Sequence, residues 1–184
     1  MIRQNMHTPP LTQSQGIRLV IQYVIALGIF VGLLNTRVVY ADPPTGYPFL
    51  PYDQGLQQSQ KDHKKIFVYF GRFGCGYCEK TNKETFSDTG LHELFVRNYT
   101  LVYVDAESGN RINLPTGERI TEMELGARLN VFATPVFVFL EPDGNMIFKA
   151  PGFKTVKDFI EIDRYIQDNH YKTKSFSEFL AEKK

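Results

Sequence analysis

The chain has 184 residues, enough for one domain plus extensions, and 42% of them are hydrophobic, an ordinary share for a packed globule. A formal net charge of +1, with no basic tract and no aromatic–basic interleaving, gives no footing for a nucleic-acid partner. Charge is unevenly placed: of 21 basic residues, Arg3, Arg18 and Arg37 stand in residues 1–41, where there is no Asp or Glu, leaving 18 basic against 20 acidic residues beyond.

That split sets residues 1–41 apart as a segment with its own task. Residues 1–18 are polar and basic, and Leu19 to Leu34 is an uncharged apolar run interrupted only by Gln22. Its 16 residues would span about 24 Å as a helix, short of the roughly 20 residues of a comfortable bilayer crossing. Val39 and Ala41 then offer the small or compact side chains of a signal-peptidase site, and Asp42-Pro43-Pro44 follows. The expectation is an export signal cleaved after Ala41. The second reading is an uncleaved anchor in the inner membrane formed by residues 19–34, and both place the rest of the chain in the periplasm.

Residues 42–52 hold four prolines and a glycine, which suits an extended linker. Asp53 to Lys65 is polar and rich in helix formers, and predicts a short surface helix. Ile66 to Gly71 is apolar, aromatic or glycine throughout, the pattern of a strand buried on both faces. A helix continues past Cys78 and is broken by Phe86-Ser87-Asp88-Thr89-Gly90. Leu91, Leu94, Phe95 and Val96 recur at helical spacing to Asn98, and Tyr99 to Asp105 reads as a second strand. Gly109, Asn110, Pro115 and Gly117 mark residues 106–119 as a loop with hairpin character. Thr121 to Leu129 returns to helix, and Val131 to Leu140 reads as the next strand. The turn Pro142-Asp143-Gly144-Asn145 sends the chain back through Met146-Ile147-Phe148 as an antiparallel hairpin. Val156, Phe159, Ile160, Ile162, Tyr165 and Ile166 give a last amphipathic helix, and Phe176, Phe179 and Leu180 in the tail 171–184 suit one short docked helix. Alternating helices and strands closed by a hairpin define an α/β class: a central mixed sheet with helices on both faces.

Cys75 and Cys78 are the only cysteines. A strand running into Cys-x-x-Cys at a helix start is an address for thiol–disulfide exchange. Cys75 would sit at the helix N-terminus, where unpaired N–H groups favour a thiolate, and would be the more exposed, attacking sulfur; Cys78, one turn inside, would resolve the mixed disulfide. Gly74 and Gly76 leave room for a substrate backbone, and Tyr77 fills a position that helps set redox poise. Other uses of the pair fit less well. A structural bridge closing so small a loop constrains little. Zinc needs four ligands, and His63, His92 and His170 lie far from ligand spacing. Covalent haem needs His after the second cysteine, where Glu79 stands. Neither a metal nor a cofactor is therefore expected. Thr134-Pro135 is the second constellation. A proline within an apolar strand needs a special position, either a cis peptide beside the dithiol that presents Thr134 to an extended substrate, or a plain trans proline opening the strand.

These stretches resemble the thioredoxin superfamily over residues 53–170: the strand into Cys75-Gly76-Tyr77-Cys78, the Thr134-Pro135 step, and the closing hairpin and helix. The resemblance implies a thioredoxin fold, Pro135 in cis, Cys75 as nucleophile and Cys78 as resolving thiol. In texture the chain is similar to exported bacterial thioredoxin-like proteins, and its two motifs are also similar to those of periplasmic disulfide isomerases of the DsbC type. It departs from classical thioredoxins in two places. Gly74 stands where they carry Trp, and Tyr69 stands where they carry a buried Asp, which leaves proton transfer at the inner thiol to Glu79, Lys80 or water. The function expected is a monomeric periplasmic thiol–disulfide oxidoreductase that reduces protein disulfides and is recharged by a membrane electron donor. A DsbC-type isomerase and a non-catalytic binding module are the alternatives, the first weakened because residues 42–52 are too short for a dimerisation domain.

Overall fold

The computed structural model describes residues 43–182. The expected export segment, including the apolar run 19–34, lies outside them. Among the described residues no helix is long and apolar enough to cross a membrane.

In chain order the elements are α1 (Tyr52–Asp62), β1 (Lys65–Gly71), α2 (Gly76–Glu84), α3 (Thr89–Asn98), β2 (Tyr99–Asp105), β3 (Arg111–Asn113), β4 (Arg119–Thr121), α4 (Glu122–Arg128), β5 (Val136–Leu140), β6 (Met146–Pro151), α5 (Val156–Gln167) and α6 (Phe176–Ala181), with a 3-10 turn at His170–Lys172. Four strands form the main sheet in the order β2-β1-β5-β6. β1 runs parallel to β2 and antiparallel to β5, which is antiparallel to β6. The fold is thus the expected thioredoxin-like α/β arrangement.

Side-chain alternation along the strands divides the core in two. Phe67 and Tyr69 of β1, Tyr99 and Leu101 of β2, and Phe137 and Phe139 of β5 face one layer, joined there by Phe86, Leu91, Phe95, Phe159, Ile162 and Ile166. Ile66, Val68 and Phe70, Val102 and Val104, and Val136, Val138 and Leu140 face the other, against Leu56 of α1 and Leu125 of α4. The first face is mostly aromatic and the second mostly aliphatic. Phe67 sits at the hub of the aromatic side, with ring centres of Phe95, Phe139 and Phe137 at 4.8, 5.2 and 5.9 Å.

Two expectations are corrected and a third is borne out in more detail. The strand read over Val131–Leu140 begins only at Val136, because residues 131–135 form a loop around the proline. The hairpin character read in residues 106–119 takes the form of the two-stranded β3–β4, whose Ile112 and Ile120 plug the aliphatic core. Residues 43–51 turn at 45–47 and pack on the sheet: Leu50 pairs in parallel with Val102 at the outer edge of β2, through Leu50 N–H to Leu101 O at 2.9 Å and Tyr103 N–H to Leu50 O at 3.2 Å. Tyr47 in this strap is 8% exposed, its ring edge-on to Phe86 at 5.2 Å and to His92 at 4.6 Å. The tail carries a short docked helix: Ser175 and Glu178 cap it reciprocally, and Phe179 is buried against Tyr165.

Candidate active site

β1 delivers the chain to the site. At its end the Gly71 carbonyl accepts the Ala106 N–H at 2.8 Å, which ties the exits of β1 and β2 together. The loop Arg72–Gly74 then reverses direction, with Gly74 in the left-handed region at φ +67°, where glycine carries no Cβ penalty. Cys75 follows as the N-cap of α2 and Cys78 lies in its first turn. The two are joined as a disulfide with S–S 2.10 Å and Cα–Cα 5.2 Å. The Cys78 N–H donates to Cys75 Sγ at 3.1 Å, so the sulfur occupies the place of a capping oxygen. Cys75 is 4% exposed and Cys78 1%, both nearly closed over in the disulfide state. Gly76 faces open space, with nothing within 4 Å of where a Cβ would stand, and Tyr77 is 65% exposed beside it.

The register of the sheet brings the second constellation to the same end. Val136 pairs with Phe70, so Thr134 and Pro135 lie alongside the exit of β1. The Thr134–Pro135 peptide is cis, the first of the two alternatives read from the sequence. The Pro135 carbonyl is held by the Gly152 N–H at 2.8 Å, and the Thr134 hydroxyl is buried with no hydrogen-bond partner among the described residues. Phe132 in this loop is 83% exposed and Phe73 before Cys75 is 54% exposed. The sequence reading hid Phe132 inside a strand. The signal that could have found it was the length of the apolar run, ten residues with a proline in the middle.

Among the described residues no group of three or more His, Cys, Asp or Glu side chains could hold a metal ion. Glu79 and Lys80, two candidates for proton transfer, are both exposed on α2. Lys80 pairs with Glu84 at 3.9 Å and lies over the Phe153 ring at 4.6 Å. Tyr69 is different: it is fully buried beneath α2, and its hydroxyl reaches Asn82 Oδ1 at 3.1 Å and the Cys78 carbonyl at 3.4 Å. Burial and the neighbouring Tyr103 hold its ionisation above the usual tyrosine range.

A cysteine pair capping a helix at the end of a central strand, with a Thr-Pro loop at the same end of a mixed sheet, defines a thioredoxin-fold protein with a redox centre. Residues 52–167 match the model of the Thioredoxin-like domain family, and the chain belongs to that family. It is similar to a thioredoxin-fold protein from Helicobacter pylori at 23% identity and TM-score 0.56, covering 66% of this chain and 80% of that one. It is also similar to a thioredoxin from Thermus thermophilus at 26% identity and TM-score 0.54, covering 66% and 88%. Over 55 residues it is 34% identical to an uncharacterized protein of Archaeoglobus fulgidus; that match spans 30% of this chain and 43% of the relative, less than half its length. Family and cysteine pair together point to thiol–disulfide oxidoreductase activity.

Proposed function

We propose that the protein reduces disulfides of protein substrates in the periplasm, with Cys75 as the attacking thiolate and Cys78 as the resolving thiol. The observation that carries this reading is the placement of Cys75 Sγ at the N-cap of α2, where the Cys78 N–H and the positive end of the helix would favour a thiolate. Export rests on the basic, apolar and small-residue pattern of residues 1–41.

The Cys75 thiolate attacks one sulfur of a substrate disulfide; that S–S bond breaks, and the other substrate sulfur leaves as a thiolate that takes up a proton. The Cys78 thiol loses its proton and attacks Cys75 Sγ in the mixed disulfide, which releases the second substrate sulfur and leaves the Cys75–Cys78 disulfide described above. Two electrons pass to the substrate. A membrane dithiol donor would restore the enzyme's own dithiol. Thr134 would pair with an extended substrate segment through its backbone, while Gly76 and Tyr77 line the approach.

The test is reduction of a protein disulfide by the purified exported domain with a dithiol as electron source, followed by its oligomeric state and reduction potential. Activity lost in Cys75→Ser, a trapped mixed disulfide in Cys78→Ser and a monomer in solution are expected. Equal activity in the Cys75→Ser variant would remove the nucleophile assignment. A potential near that of strong oxidants, about −120 mV, would reverse the direction of electron flow.

A further inference from the structure

We infer that Tyr69 and Asn82 are positioning residues for the cysteine pair: they hold the backbone of Cys78 so that its N–H stays aimed at Cys75 Sγ. The inference rests on the reading of Cys75 as the attacking sulfur.

Tyr69 belongs to the central strand, and its side chain is a buried polar group of the sheet that reaches the dithiol helix. Its hydroxyl donates to Asn82 Oδ1 at 3.1 Å, with the Cys78 carbonyl as a second, longer acceptor at 3.4 Å. Cys78 and Asn82 are four apart on α2, so they share the helix face turned toward the sheet. The ring cannot swing away. It stacks on Phe86 with centres 5.6 Å apart and is flanked by Phe137 at 5.0 Å and Tyr103 at 5.4 Å. One hydroxyl on a rigid strand thus pins both turns of the helix that carries the dithiol.

What it pins matters because Cys78 contributes more than its sulfur. Its N–H meets Cys75 Sγ at 3.1 Å. In the disulfide that sulfur is neutral, whereas in the reduced protein it can carry a full negative charge, and a hydrogen bond to an ionised acceptor is the stronger one. Holding the N–H in place therefore stabilises the reduced thiolate more than the disulfide. Because its hydroxyl stays protonated in its buried site, Tyr69 remains a donor over the whole working range of pH. It acts as a fixed hydrogen-bond donor, in contrast to a carboxylate that would exchange protons with the inner thiol.

The test uses Tyr69→Phe, which keeps the ring and removes only the hydroxyl, together with Asn82→Ala and the double variant. Alkylation of the reduced protein is followed against pH, with the modified residue located by mass spectrometry, and the dithiol is equilibrated with a reference dithiol. In each single variant the alkylation midpoint should move to higher pH. Below the midpoint the rate should fall about three- to tenfold, the reach of one ordinary hydrogen bond. The equilibrium should move toward the protein disulfide, and the double variant should add nothing to Tyr69→Phe, which already removes both contacts of the hydroxyl. A Tyr69→Phe protein that melts earlier with an unmoved pH profile and potential would reduce Tyr69 to a purely structural role and overturn the inference. Fully additive effects in the double variant would overturn the pairing with Asn82. Alkylation at Cys78 in the unmodified protein would instead sink the nucleophile assignment, a separate failure read from the mass spectrum alone.

Discussion

Gly55 of α1 lies so close to Val102 of β2 that a Cβ on Gly55 would stand 2.1 Å from Val102 Cγ2. Val102 is fully buried and β-branched, so it cannot turn aside within the strand. The same valine pairs with Leu50 of the strap, which leaves the strand little room to retreat. Gly55→Ala should push α1 off the sheet and destabilise the domain by about 1–3 kcal/mol, against the general rule that alanine favours helices. Urea unfolding at equilibrium measures this. An unchanged midpoint would mean that α1 can slide along β2.

The strap itself contains a polar group that contributes nothing favourable. The Tyr47 hydroxyl is buried without a hydrogen-bond partner among the described residues. Burial, with Asp88 nearby, holds its ionisation well above the ordinary range, so it remains a neutral donor with no acceptor. Its ring does the packing, against Phe86 and His92. Tyr47→Phe keeps those contacts and removes the orphan group, and should raise stability by about 1 kcal/mol. Thermal unfolding decides the sign; a loss of stability would show that the hydroxyl is satisfied by a bound water.

How much of this was readable beforehand follows from which signals are local. The run from Ile66 to Phe70 announced a strand buried on both faces, and its alternation sorts Phe67 and Tyr69 from Ile66, Val68 and Phe70 as the structure does. Cys75, Cys78 and the Thr134–Pro135 step could be singled out because each is a short motif whose chemistry depends on spacing alone. The misplaced start of β5 has a different origin. Val131 and Phe132 have the composition of a strand, yet the chain must open into a loop around Pro135, and the proline in the middle of so long a run is the one local sign that Phe132 ends in solvent. The packed strap escaped for a related reason. Its prolines and glycine read only as a linker, but its burial comes from Leu50 meeting the edge of β2, some fifty residues further along the chain. The link from Tyr69 to Asn82 joins a strand to the helix after it across a turn, and only the fold brings those two groups together.

The last helix makes a stability prediction. At six residues α6 is too short to stand alone in water. It is held by Phe179, 5.5 Å from Tyr165, and Phe176, 4.9 Å from Phe148. It also lies beyond the residues that match the family. Phe179→Ala should cost about 3 kcal/mol. Because α6 packs on Phe148 of β6, Tyr165 of α5 and His170 in the turn after it, the reduction potential of the cysteine pair on α2 should not move. Amide exchange should quicken first in residues 175–182. Exchange that quickens equally throughout would show that α6 unfolds together with the sheet.

Asp163 on α5 gives a prediction in pH. The residue is 6% exposed, and the removal of its carboxyl from water, aided by Asp168, holds its ionisation above the usual carboxylate range. The Asn98 amide, donating to Oδ1 at 3.0 Å, the neighbouring Tyr99 hydroxyl and the charge of Arg97 offset this only in part. A carboxyl with a raised folded-state value binds its proton more tightly folded than unfolded. Between the unfolded value of about 3.9 and the higher folded one, the native state therefore holds more protons, and stability falls as pH rises through that window. Below the window both states are protonated and the cost vanishes; above it the full cost of a buried charge is present. Asp163→Asn, neutral at every pH and still able to accept from Asn98, should match the parent protein near pH 3.5 and exceed it at pH 7.5. Urea unfolding of both proteins at the two pH values measures the difference. A variant less stable at pH 7.5 would show that the ionised carboxylate gains more from Asn98 and Arg97 than it loses by burial.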